Sequence, residues 1–218
     1  MQKQILTPEN AEKRVSHLLI TQESASERLM IMLPGRGYLN EHPVMYYLRA
    51  MAVERGFDVL SVTYGFQAHL YSTEGIQGDL LDEIRQAAEL VLAKEAKQAY
   101  RRIVIAGKSL GTPLAAFYGA ELAARFPEAE IAFVLLTPVQ KATAAVSERR
   151  TLAVIGTADA AYDADLIQSD QDHAWIDWLV LEGLNHGLEY PGDWKRSMAA
   201  LGQITGACEQ FLEGHQTG

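Results

Sequence analysis

Arg102-Ile103-Val104-Ile105-Ala106-Gly107-Lys108-Ser109-Leu110-Gly111 is the stretch that decides the fold. A short β-branched run ends in Gly-x-Ser-x-Gly. Leu110, Leu114, Phe117, Tyr118 and Leu122 then recur at helical spacing. Strand, sharp turn and helix are the setting in which this motif presents a serine as a nucleophile. The serine stands at the apex of a strained turn, and the flanking glycines avoid collisions with the neighbouring strand or helix. The helix that starts beside Ser109 aims free backbone N–H groups at the reaction centre. Gly107-Lys108-Ser109 also ends a Gly-x-x-x-x-Gly-Lys-Ser phosphate-loop pattern. That pattern needs glycine where Arg102 stands, and residues 103–106 read as strand rather than as a flexible cradle.

Working outward, residues 15–20 and 29–33 read as the first two strands, paired as an antiparallel hairpin. The loop Pro34-Gly35-Arg36-Gly37-Tyr38 follows. A helix is expected over 42–56, with Val44, Tyr47, Leu48 and Met51 on its buried face. Residues 58–64 read as a strand, 65–75 as a longer loop, and 76–99 as a helix. Beyond the elbow helix, which ends near Phe126-Pro127, strands are expected at 131–136, 151–155 and 177–181. A final helix over 193–212 turns Trp194, Met198, Leu201, Ile204, Cys208 and Phe211 inward. Strands alternating with helices imply a mostly parallel sheet with helices on both faces, in one domain spanning 1–218.

Composition narrows the function. The net charge of −9 over 218 residues argues against nucleic acid as a partner, because phosphate contacts need clustered Lys and Arg. No stretch approaches the length of a membrane span. No apolar run follows Lys3, so no signal peptide is expected. The one cysteine excludes an internal disulfide. A cytoplasmic location is the default expectation, and no membrane or metal partner is expected.

In parallel sheets the chemistry sits at the carboxyl ends of the strands. The loop after Ile155 carries Asp159, Asp163 and Asp165, and the loop after Leu181 carries His186. An acid and a histidine therefore follow the elbow serine, each at a strand end. A serine hydroxyl needs an imidazole to accept its proton, and the imidazole needs a carboxylate on its other nitrogen.

On these residues the chain resembles the α/β-hydrolase superfamily, from about Leu29 to the last helix. The resemblance rests on Gly107-Lys-Ser-Leu-Gly111, Gly156-Thr-Ala-Asp159 and Gly183-Leu-Asn-His186, in the family's order. It is nearest to the small esterase-like and dienelactone-hydrolase-like members. The resemblance implies a three-layer α/β-hydrolase fold with little or no cap domain. It also implies a Ser109–His186–Asp159 triad, with Asp163 and Asp165 as alternative acids, and hydrolysis of an ester or thioester through an acyl-enzyme. The partner is a small-molecule acyl substrate, and no cofactor is needed. Peptidase, amidase or lipid hydrolase activity on the same triad, or a non-catalytic binding protein of this fold, are the alternatives. Two departures stand out: dienelactone hydrolases proper use cysteine where this chain has Ser109, and the family's usual His-Gly is Pro34-Gly35 here.

The N–H groups of Leu110 and Arg36 are the expected oxyanion donors, with Gly37 as the alternative to Arg36. The Arg36 side chain would then be free to reach a substrate carboxylate or to stack on Tyr38. Tyr38, Tyr64, Phe66 and His69 are the expected substrate-binding side chains, and the 65–75 loop, with Tyr71, is the candidate partial cover. Lys108 is expected to face solvent or pair with a local acid. Trp175, Trp178 and Trp194 are expected to pack in the core. His17, His42, His173 and His215 have no context suggesting chemistry.

Overall fold

The computed structural model describes residues 1–7, 15–68, 80–92, 100–139, 142–146, 148–171 and 174–214. In chain order the elements are β1 (Gln2–Leu6), β2 (His17–Thr21), β3 (Arg28–Leu33), α1 (Pro43–Glu54), β4 (Asp58–Ser61), α2 (Gly65–Ala68) and α3 (Leu80–Leu92). Next come β5 (Arg102–Lys108), α4 (Gly111–Arg125), β6 (Glu130–Leu136), α5 (Ala142–Ala145), β7 (Thr151–Gly156), α6 (Ala164–Gln171), β8 (Ile176–Leu181) and α7 (Trp194–Glu213). One eight-stranded sheet runs β1-β2-β4-β3-β5-β6-β7-β8. From β4 to β8 every neighbouring pair is parallel.

The sheet is covered on both faces, so its central strands read as continuous apolar runs. Alternation sorts their side chains. Leu29, Ile31, Leu33, Ile103 and Ile105 pack with α3 and α4, while Met30, Met32, Val104 and Ala106 pack with α1 and α7. This is the expected three-layer α/β arrangement. Among the described residues no helix is long and apolar enough to cross a membrane.

The expected hairpin does not form. β4 lies between β2 and β3, antiparallel to β2 and parallel to β3. The polar connection 22–27 explains this, because it is tied to the start of β4 instead of closing a tight turn. The Gln22 N–H donates to Asp58 at 2.8 Å, and its side-chain amide donates to the Val53 and Phe57 carbonyls at 2.9 Å each. Ser26 donates to the Gly56 carbonyl at 2.6 Å. The edge strand β1 lacks any apolar alternation to announce it. Of its residues only Leu6 is buried, and backbone pairing to β2 holds the rest.

Several expected core residues face outward: Tyr47, Trp175, Trp194 and Met198 are exposed. On α1, Met45 and Ala52 join Val44 and Leu48 in the buried stripe. On α7 the inward position of the first turn belongs to Ser197, whose hydroxyl accepts the Tyr190 N–H at 2.9 Å. The apolar stripe starts only at Ala200. The expected 58–64 strand stops at Ser61, where Val62 and Thr63 turn their amides to the Met32 carbonyl and His17. Both ends of the expected 76–99 helix lie outside the described residues, as do His173 and His215; 80–92 is helical.

Candidate active site

The carboxyl ends of β3, β5, β6, β7 and β8 form one edge of the sheet. Ser109 stands at the end of β5 with φ +50°, a left-handed conformation that is costly for a residue with a side chain. Hydrogen bonds on both sides hold it there. Its N–H donates to the Leu136 carbonyl at 2.9 Å, and its carbonyl accepts the Thr112 N–H and hydroxyl at 2.8 and 2.7 Å. The glycines allow the turn to close. A Cβ on Gly107 would lie 2.5 Å from the Gly111 carbonyl oxygen, and one on Gly111 would run into the Leu33 carbonyl.

The structure brings Ser109, His186 and Asp159 together. His186 Nε2 lies 2.8 Å from Ser109 Oγ, and His186 Nδ1 lies 2.8 Å from Asp159 Oδ2. The Asp159 side chain is 1% exposed, whereas that of His186 is 45% exposed. The other Asp159 oxygen accepts the Ala161 N–H at 2.8 Å, which fixes the carboxylate plane. Asp163 is used differently. Its carboxylate accepts the Asp165 and Leu166 N–H groups at 3.1 Å each, capping α6. β7 and β8 can deliver their loops to one point because Gly156 has no side chain; a Cβ there would run into the Leu184 carbonyl.

The 34–38 loop lies against the elbow, with the position of a Gly35 Cβ only 3.5 Å from Ser109 Cβ. The Gly35 N–H donates to the Tyr38 carbonyl at 2.9 Å. The Gly35 carbonyl accepts the buried Gln67 amide at 2.7 Å. Among the described residues the backbone N–H groups of Leu110 and Arg36 have no hydrogen-bond partner.

The expected substrate-binding residues divide. Tyr64 is fully buried, so it is core and not a site wall. The chain turns into α2 just after it: Gln67 accepts the Tyr64 N–H at 3.1 Å and Glu83 accepts the Gly65 N–H at 2.7 Å. This turns the Tyr64 ring into the α3–α4 side of the core, where Phe66 stacks on it at 5.7 Å. Burial raises the pKa of the Tyr64 phenol strongly. Tyr38 is half-buried, and its hydroxyl accepts the Val44 N–H at 3.3 Å. Arg36 is exposed and does not stack on Tyr38, whose ring is flanked by His42 and Lys108. His69, Tyr71 and the rest of the candidate cover beyond Ala68 lie outside the described residues.

Lys108 departs furthest from its expected place. It neither faces solvent nor pairs directly with an acid; it is 1% exposed. Its ammonium donates to Thr137 Oγ1 at 2.6 Å and to the His186 carbonyl at 2.8 Å. Burial draws its pKa down to about 8, against the opposing pull of the Asp159 carboxylate. Parity carried the signal that sequence reading missed. Lys108 continues the Val104, Ala106 series of a strand whose two faces are both covered. Gln67 was also missed, because nothing near it in sequence marks it.

A cavity of about 200 Å³ lies beside the acid loop, lined by Val139, Thr143, Ala161, Asp163 and Trp178 among others. Neither Ser109 nor His186 borders it; Ser109 is half-buried and His186 is exposed.

No protein-family profile matches this chain, and no curated protein matches it. Known structures do. A protein of unknown function from Agrobacterium tumefaciens, described as a candidate α/β hydrolase, superposes with TM-score 0.68 at 19% identity over 98% of both chains. A dienelactone hydrolase from Anabaena variabilis gives 0.67 at 16% identity, again over 98% of both chains. An α/β serine hydrolase without a lid from Xanthomonas campestris gives 0.61 at 14% identity, over 97% of this chain and 94% of that one. The chain therefore has the α/β-hydrolase fold, with no cap domain among its described residues.

Proposed function

We propose that the protein is a serine hydrolase that cleaves a carboxylic ester or thioester of a small molecule through an acyl-enzyme. The observation that carries this reading is the unbroken series Asp159 Oδ2–His186 Nδ1 and His186 Nε2–Ser109 Oγ, at 2.8 Å for each contact. Neighbours in structure that are named as a lidless serine hydrolase and a dienelactone hydrolase support the same class.

Ser109 Oγ attacks the acyl carbon while His186 Nε2 accepts its proton. Asp159 holds the imidazole in the tautomer that leaves Nε2 free, and it stabilises the imidazolium as it forms. Negative charge develops on the carbonyl oxygen, where the Leu110 and Arg36 N–H groups are its donors. The peptide geometry favours Arg36 over Gly37. In a trans peptide C=O and N–H point in opposite directions. Gln67 holds the Gly35 carbonyl on one side, which turns the Arg36 N–H to the other. His186 then gives its proton to the departing alcohol or thiol. Water repeats the sequence on the acyl-enzyme, releases the acid and restores Ser109. An open site at Ser109 would suit small or flexible acyl groups, and the exposed, positive Arg36 would suit an acyl group bearing a carboxylate.

A fluorophosphonate probe, which needs an activated serine, tests this reading when the modified residue is mapped by mass. Labelling at Ser109 that disappears in H186A is expected. S109A should lower ester turnover by about a million-fold, as in other triad enzymes. Folded protein that takes no label would shift the assignment to a binding protein of this fold.

A further inference from the structure

Lys108 directly precedes the nucleophile, yet no step of the reaction uses it. A buried ammonium is costly unless its donors are satisfied. Here two of its three N–H groups meet oxygens, Thr137 Oγ1 at 2.6 Å and the His186 carbonyl at 2.8 Å. Its remaining side faces the Tyr38 ring, with the nitrogen 5.0 Å from the centroid. Each contact comes from a different strand end: Thr137 after β6, His186 after β8 and Tyr38 after β3. Thr137 is itself held at φ +49°, with its N–H on the Val154 carbonyl at 2.7 Å. Because the ammonium holds the backbone of the residue whose ring accepts the Ser109 proton, it can set where that ring sits.

We propose that Lys108 is a positioning residue whose ammonium fastens the His186 loop to the floor of the site and holds the imidazole in reach of Ser109. The proposal rests on the hydrolase reading for its effect on rate, while the fastening itself does not. It adds a dependence on charge. Asp159, on the loop after β7, acts on the ammonium, which also touches the His186 carbonyl on the loop after β8 and the Tyr38 ring on the loop after β3; Glu189 and His42 in turn face Tyr38. Burial outweighs the Asp159 attraction and brings the lysine down to about 8. Below that pH the charged clamp is intact. Above it the amine keeps only two N–H groups and loses the attraction of a cation for a carbonyl oxygen.

The test measures fluorophosphonate labelling of Ser109 against pH, together with amide hydrogen exchange across 183–190, in wild type, K108M and K108Q, each checked for folding by circular dichroism. In wild type the labelling rate is expected to fall above about pH 8. K108M is expected to label about a hundred-fold more slowly at pH 7, the effect of a misplacement near 1 Å, and to lack the fall at high pH. K108Q, which keeps a donor without the charge, recovers part of the rate and none of the high-pH fall. Exchange in the loop quickens in both variants. K108M labelling at the wild-type rate, or a wild-type rate flat to pH 10, overturns the proposal. Should K108M not fold, K108Q and the wild-type profile decide by the same criteria. Should wild type take no label, the hydrolase reading fails separately. Loop exchange in the variants then decides the fastening, and unchanged protection overturns it.

Discussion

Two loops meet at Ser109, and they are fastened in different ways. The loop after β8 carries His186 and is held from below by a buried cation, Lys108. The loop after β3 carries the Gly35–Arg36 peptide and is held by an uncharged amide, Gln67. Both anchors are almost wholly buried and both grip a backbone carbonyl. They differ in what can undo them. An amide offers the same hydrogen bond at any pH, whereas a lysine lowered to about 8 loses its charge within the working range of many enzymes. One anchor is therefore indifferent to pH and the other is not.

The largest effect expected on the histidine side comes from D159N, which puts an amide where the imidazole needs a carboxylate. Turnover should drop about ten-thousand-fold. D163N should match wild type within about twofold and leave stability nearly unchanged, since Asn caps a helix about as well as Asp. If the two variants traded places in an ester assay, the two aspartates would have been assigned the wrong way round.

Q67A probes the uncharged anchor. Loss of one oxyanion donor costs about a hundred- to a thousand-fold, and a donor merely freed to turn should cost less, about ten- to a hundred-fold in kcat with KM held. The deficit should be the same at pH 6 and pH 9. A deficit that grew with pH would erase the contrast between the two loops.

The cationic anchor should leave a mark on stability of opposite sign to its mark on rate. The folded-state value of Lys108, about 8, lies below the ordinary 10.5. Between those values the unfolded chain binds more protons than the folded one, so stability from this group rises with pH. Urea titrations of wild type from pH 8 to 10 should show a gain on the order of 1–3 kcal/mol that K108M lacks. At pH 7, K108M should melt no lower than wild type, because it removes a desolvated charge. A variant that is slower yet no less stable would separate positioning from general folding.

Not all of this was legible beforehand. Continuous apolar runs located β3, β5, β6 and β7, since a strand covered on both faces has few polar positions to obscure it. Ser109, Asp159 and His186 were legible because parallel strands bring their carboxyl ends to one edge wherever the residues fall in sequence. β1 was not, since its Gln-Lys-Gln pattern shows no buried face. The outward turn of Trp194 and Met198 was hidden because helical periodicity gives a face but not its phase against the sheet.

Alone, then, the sequence determined the positions of the central strands and the order of the three reactive side chains, both of which rest on patterns a few residues long. Tertiary structure decided the neighbours. β4 inserts between β2 and β3 because Gln22 and Ser26 bond across to its start. Asp159 and not Asp163 reaches the imidazole. Lys108 is buried because its partners, Thr137 and His186, arrive from 29 and 78 residues away. A lysine is read as a surface residue by default. Only when the chain has closed is there an oxygen cage to hold its charge.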